Sequence, residues 1–214
     1  MIIIKNDKEI DLMRIAGRIV AETLLLVEKK VKPGITTAEL DRIAEEFITK
    51  HGAIPSFKGL YGFPASLCIS VNEQVVHGIP GGYVLKEGDI ISVDCGAHIN
   101  GFHGDAARTF AVGDISEQAN KLIKVTEESF FKGLEFAKVG NRLTDISHEI
   151  QRYVEASGFS VVRDFVGHGI GRSVHEDPEV PNFGRPGRGP KLVAGMTLAI
   201  EPMVNMGTYR VATL

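Results

Sequence analysis

Two stretches of this sequence, a little over a hundred residues apart, follow one pattern, which points to a fold made of two like halves. Lys32, Gly34, Leu40, Phe47 and Gly52 match Lys138, Gly140, Ile146, Tyr153 and Gly158, each pair 106 residues apart. Farther on, Gly88 matches Gly195 and Asp94 matches Glu201, now 107 apart. One register thus holds across a helix-like and a strand-like segment, and in both halves it ends on an acid. The first reads Gly88-Asp89-Ile90-Ile91-Ser92-Val93-Asp94, the second Gly195-Met196-Thr197-Leu198-Ala199-Ile200-Glu201. Such a period is that of a duplicated half-domain, longer than a solenoid repeat of about 20–50 residues.

The elements follow from spacing and punctuation. Between Lys8 and Lys30, Ile10, Met13, Ile15, Ile19, Val20, Leu24 and Val27 make an apolar helical face, stopped by Lys32-Pro33-Gly34. Thr36 with Glu39 is a capping box for a second helix, ending at Gly52. Ser66 to Val71, Asp89 to Cys95 and Thr109 to Val112 read as strands. Ser116 starts a long helix to about Lys138, and Leu143 or Thr144 another that ends at Gly158. Glu176 to Lys191, with Pro178, Pro181, Pro186 and Pro190, reads as an extended surface loop.

Bulk properties exclude several function classes. At 214 residues the chain is expected to form a single domain, with halves of about 1–114 and 115–214. A net charge of −3 and a pI near 6.2 give no electrostatic grip on nucleic acid or anionic membranes. No apolar run approaches the ~20 residues of a membrane helix, and no signal segment precedes Asp7. Cys68 and Cys95 are too few for a disulfide framework, so a cytoplasmic setting is expected.

The chemistry-bearing residues are Asp94, Asp105, His168 and Glu201, with His77 and His175 in the same motifs. Carboxylates with some imidazole suit divalent cations, and a carboxylate can bridge two of them. Such a pair of ions can hold a shared water as hydroxide at neutral pH and polarise a carbonyl. Asp94 and Asp105 flank Asn100-Gly101, a hairpin signal that brings both to one place. Without cations the carboxylates of a shared pocket would repel. Singly, Asp94 also reads as a turn residue and Asp105 as a surface partner of Arg108. A flexible Gly-His-Gly-Ile-Gly stretch around His168 is poor core material, and Glu201 after apolar residues would be an odd buried acid. His77-Gly78-Ile79 echoes His168-Gly169-Ile170, out of register with the strands. His51, His98, His103 and His148 read as ordinary polar or helix-surface histidines.

Five segments together resemble the type I methionine aminopeptidases. They are residues 72–80 (Asn72 to Pro80, with His77), 92–96 (Ser92 to Gly96), 104–109 (Gly104 to Thr109), 167–171 (Gly167 to Gly171) and 200–205 (Ile200 to Asn205). The resemblance implies an α+β pita-bread fold with internal pseudo-two-fold symmetry, and hydrolytic removal of the initiator methionine from nascent chains. Carried over, Asp94 chelates one metal, Asp105 bridges both, and His168 and Glu201 complete the other site. Glu201 also handles the proton of the bridging water. His175 stabilises the oxyanion, the kind of donor that is worth ~3–4 kcal/mol. His77 contacts substrate near the scissile amide. Phe63 and Cys68 stand at family positions of the methionine pocket, with plain core packing as their other reading. Two divalent ions are implied, with Co, Mn, Fe, Zn and Ni all open. The partner implied is a peptide or nascent protein beginning with Met, and the family is expected to be monomeric; on ribosome contact the residues are silent.

The family pattern continues through further strands carrying a second bridging glutamate, and no carboxylate lies between Pro202 and Leu214. That departure sets the expectation of weakened metal affinity, low activity and an open sheet edge liable to self-association. Two other functions fit parts of the pattern: a proline-specific pita-bread aminopeptidase, and a catalytically dead binding module.

Overall fold

The computed structural model describes residues 1–213 and divides into two compact units. The N-terminal unit comprises Asp7–Glu117 with Ile170–Val174; the C-terminal unit comprises Met1–Asn6, Gln118–Gly169 and the residues from His175 onward.

The N-terminal unit begins with α1 (Asp7–Glu28), which buries Ala16, Ile19, Val20, Thr23, Leu24 and Val27. Ile15, expected on that face, is 44% exposed. The contact runs instead through small residues: a Cβ on Gly104 would lie 2.7 Å from the Gly17 nitrogen and 2.8 Å from the Ala16 carbonyl carbon. Helix α2 (Thr37–Lys50) is capped as its sequence predicts, the Thr36 hydroxyl accepting the Glu39 N–H at 3.1 Å. There follow β1 (Ile54–Pro55), a 3-10 turn at Leu60–Gly62, β2 (Leu67–Val71), β3 (Ile90–Ile99) and β4 (Phe102–Ala111). Strand β3 pairs antiparallel with β4 along its length, and its other side carries β2 and then β1. Between β3 and β4, Asn100 and Gly101 both take positive φ, 54° and 80°, the two-residue turn that Asn-Gly favours.

The C-terminal unit contains α3 (Glu117–Leu134, from Gln118), α4 (Leu143–Ala156), β5 (Ser160–Val161), β6 (Gly167–Gly169), β7 (Glu176–Val180), β8 (Leu198–Ala199) and β9 (Val204–Asn205). Strand β6 lies between β7 and β8, and β5 pairs with β9. The core joins Leu143, Ile146, Ile150 and Val154 of α4 to Phe159, Val161, Val180 and Leu192. Each fully buried aliphatic side chain of this kind contributes about 1.5–3 kcal/mol.

The duplication is visible in backbone detail. The Gly34 N–H bonds the Leu85 carbonyl at 2.8 Å, and the Gly140 N–H bonds the Leu192 carbonyl at 3.0 Å. Return bonds run from Leu85 to Ile35 and from Leu192 to Asn141, each 2.8 Å. Gly88 and Gly195 share left-handed backbone, φ 90° and 87°. Leu40 and Ile146 are both fully buried. The histidine echo has no such counterpart. Ser70 pairs with Ser92 across β2 and β3, and His168 pairs with Ala199 across β6 and β8. The structural partner of His168 in the first half is therefore Ser70, while His77 sits in the loop beyond β2.

Candidate functional site

In the N-terminal unit, Asp94 on β3 faces Ala107 on β4 and Cys68 on β2, while Asp105 faces Gly96. Paired positions share a sheet face, and so do residues two apart along a strand. Asp94, Asp105 and Cys68 therefore stand on one face, the two carboxylates as diagonal neighbours. Gly96 leaves that face open: a Cβ there would lie 2.7 Å from Ser56 Cβ and 2.9 Å from Phe57 Cε1. Phe57 fills the space and packs with Cys68 and Val174, flanked by Leu60 and Phe63. The result is a small apolar cluster beside two acids. Burial pushes the Cys68 thiol far up, and the negative charges of Asp94 and Asp105 add to it, so this sulfur is an apolar wall and not a nucleophile.

His77 is exposed and has left-handed backbone, φ 59°. Its neighbour fixes it. The Gly78 carbonyl accepts the Ile69 N–H at 2.8 Å, and the Gly78 N–H bonds Ser70 Oγ at 3.1 Å. A Cβ on Gly78 would meet the Ile69 oxygen at 2.2 Å, so only glycine permits this approach.

In the C-terminal unit, His168 occupies the centre of β6, 9% exposed. The glycines on either side make this a buried strand and not a flexible stretch. Added Cβ atoms would lie 2.2 Å from the Ala199 oxygen at Gly167 and 2.1 Å from the Asp177 oxygen at Gly169. His168 Nδ1 is 2.8 Å from the Gly169 carbonyl oxygen, which can only accept, so Nδ1 carries the proton. In the neutral ring Nε2 is then a lone pair, and it faces Glu201 Oε1 at 3.1 Å. Two acceptors at that distance require a positive centre, either a proton on Nε2 or a cation between or beside them. A metal ion fits this donor pair. The ring of His175 meets that of His168 edge-on, centroids 4.5 Å apart.

Glu201 lies two residues beyond β8, and its carbonyl accepts a 2.7 Å bond from Asn182 Nδ2. Asn182 is fully buried, with Oδ1 unpartnered. Sequence reasoning missed Asn182, as it missed Phe57, Leu60 and Val174; the readable signal was a polar residue set between Pro181 and Phe183. The other histidines are ordinary: His51 Nδ1 bonds Phe47 O, His148 Nδ1 is 3.2 Å from Gly184 O, and His103 stacks on His98 and meets Ser56 Oγ. The expected loop after Glu176 begins as strand β7, an edge strand where Pro178 removes no needed ladder bond.

The profile of metallopeptidase family M24 matches residues 11–212. Over 214 residues the chain is 79% identical to a methionine aminopeptidase of Clostridium perfringens, covering 100% of this chain and 86% of that protein. It is 61% identical to methionine aminopeptidase 1 of Bacillus subtilis, with the same coverage of both. Among solved structures, methionine aminopeptidase from Thermotoga maritima matches with a TM-score of 0.98 at 49% identity, covering 100% of this chain and 86% of that one. Prolidase from Pyrococcus furiosus matches with a TM-score of 0.81 at 24% identity, covering 94% of this chain and 57% of that one, a likeness of fold alone.

Proposed function

The chain belongs to metallopeptidase family M24, among the methionine aminopeptidases, and from that premise we propose that Asp94, Asp105, His168 and Glu201 hold two divalent ions for removing an N-terminal methionine. The observation that carries the metal reading is His168 Nε2 set 3.1 Å from Glu201 Oε1 while Nδ1 is tied to the Gly169 carbonyl. In this reading His168 and Glu201 of the C-terminal unit supply imidazole and carboxylate ligands, and Asp94 and Asp105 of the N-terminal unit supply carboxylates. Residues 1–214 act as one metallopeptidase domain in this reading.

When bound, the divalent ions supply Lewis acidity toward the scissile carbonyl and toward water at neutral pH. The protein's own groups do the rest. Phe57, Leu60, Phe63, Cys68 and Val174 take the methionine side chain, an apolar and adaptable thioether that suits an apolar cluster. His175 donates to the carbonyl oxygen as it gains charge. His77, on its loop fixed by Gly78, positions the scissile amide and hands a proton to the departing amine. Glu201 accepts the proton of the attacking water.

The substrate is a peptide or nascent chain beginning with Met, and the compartment is the cytoplasm, consistent with two free buried cysteines. No helix among the described residues is long and apolar enough to cross a membrane.

The test is hydrolysis of Met-Ala-Ser beside an Xaa-Pro peptide, with divalent metal and with excess chelator. Met-Ala-Ser is cleaved only when metal is present, and the Xaa-Pro peptide is left intact. Preferential cleavage of Xaa-Pro, or turnover that survives chelation, contradicts the reading.

A further inference from the structure

Lys5 is 4% exposed, and its ammonium donates to Glu176 Oε2 at 2.6 Å and to the Ile3 carbonyl at 3.1 Å. The Glu176 side chain is itself only 6% exposed. An ion pair taken so far out of water loses most of its attraction to desolvation, so stability alone does not account for it. What it fixes does.

Glu176 starts β7, immediately after His175. Across the ladder it pairs with Gly169, at a register shift between His168 and Gly169. There the backbones nearly touch: a Cβ on Gly169 would lie 3.0 Å from the Glu176 oxygen. The first residue of β7 is thus held by the Gly169 backbone through its main chain and by Lys5 through its side chain. His175, one residue earlier, holds its ring edge-on to His168 at an interplanar angle of 84°. Lys5 has a second attachment, its N–H bonding the Gly195 carbonyl at 2.8 Å. Gly195 opens the segment that runs through β8 to Glu201 and could carry no side chain, since a Cβ would fall 2.4 Å from the Lys5 oxygen. The N-terminal residues therefore clasp two segments, one bearing His175 and the other Glu201.

We propose that the buried Lys5–Glu176 pair is a positioning device for His175, making Lys5 and Glu176 determinants of turnover although neither meets the reacting atoms. The proposal rests on the reading of His175 as the oxyanion donor. A donor displaced by about 1 Å can lose roughly 100-fold in rate, so a tether one residue away is well placed to matter.

The experiment compares the parent with Lys5→Met/Glu176→Gln, Glu176→Asp and His175→Ala. The double variant buries no orphan charge, and Glu176→Asp keeps the charge while withdrawing the carboxylate from Lys5. Steady-state kinetics on Met-Ala-Ser with Mn²⁺ are read beside the histidine Cε1–H resonances of the metal-free proteins. The double variant and Glu176→Asp are expected to lose about tenfold or more in kcat with KM within about twofold, and to shift or broaden the His175 resonance. His175→Ala is expected to lose about 100-fold in kcat. If His175→Ala keeps parental kcat, the oxyanion reading fails. If His175→Ala is impaired while Glu176→Asp and the double variant keep parental kcat and the parental His175 resonance, the positioning proposal fails.

Discussion

His168 Nε2 stands 3.1 Å from Glu201 Oε1 while Nδ1 of the same ring is tied to the Gly169 carbonyl oxygen at 2.8 Å. The backbone bond selects the tautomer, and the tautomer leaves a lone pair pointing at a carboxylate. A proton and a metal ion therefore compete for one position. Divalent-metal affinity is expected to fall steadily from about pH 7.5 to about pH 5.5, with protons released on binding. Calorimetric titration in buffers of differing ionisation enthalpy reads both; affinity that stays flat over that range contradicts the competition.

Gly167 lets the segment running from β8 to Glu201 lie against β6. A Cβ there would stand 2.2 Å from the Ala199 oxygen and 3.4 Å from the Glu201 nitrogen. Gly167→Ala is expected to cost about 1–3 kcal/mol, from urea denaturation, and to weaken metal binding about tenfold by displacing Glu201. Gly207→Ala, where a Cβ meets nothing within 4 Å, is the control and is expected to change neither.

Much of the architecture was legible because it rests on local chemistry. The Thr36 cap, the Asn100-Gly101 turn and the paired glycines of the two halves each have a backbone reason that a sequence displays. Strand β4 was the weak point: Thr109 to Val112 read as strand, yet the strand begins at Phe102. Its middle, Asp105 to Arg108, lacks the apolar alternation that marks a strand, because Ala106, Ala107 and Arg108 are exposed on both faces. Strand β7 was hidden for a related reason, since an edge strand tolerates the Pro178 that argues against a strand in sequence. The proposed ligands Asp94, Asp105, His168 and Glu201 stood out as acids and imidazole among apolar or glycine neighbours. Phe57, Val174 and Asn182 did not, because their roles come from what packs over Gly96 and beneath Glu201, which only the three-dimensional chain provides.

Both cysteines are expected to be inert in the native, metal-free protein. Burial raises both thiols, and the charges of Asp94 and Asp105 raise them further. At about pH 8 a free cysteine is alkylated readily. Iodoacetamide followed by mass spectrometry should show modification of Cys68 and Cys95 only after denaturant is added. Native labelling of Cys68 at the rate of a free thiol runs against this electrostatic account.

Asp89 carries a pH-dependent share of stability. Burial alone would raise its pKa, but donors from Asn72, the Lys86 N–H and Tyr83 together hold it below the usual carboxylate value. A depressed folded pKa means that the contribution is complete above the unfolded value and is lost as pH falls through the folded one. Asp89→Asn is expected to cost about 1.5–3 kcal/mol near neutral pH. The gap between parent and variant should narrow as urea melts are repeated toward about pH 3. A gap that widens on acidification reverses the sign and defeats the argument.

The central claim, that Asp105 and Glu201 belong to a metal-binding set, is tested most directly by calorimetric titration of the metal-free protein with Mn²⁺, in the parent, Asp105→Asn and Glu201→Gln. The expected result is saturable binding by the parent and affinity weakened about tenfold or more in each variant. Parental affinity in both variants, or no saturable binding by the parent, would contradict it.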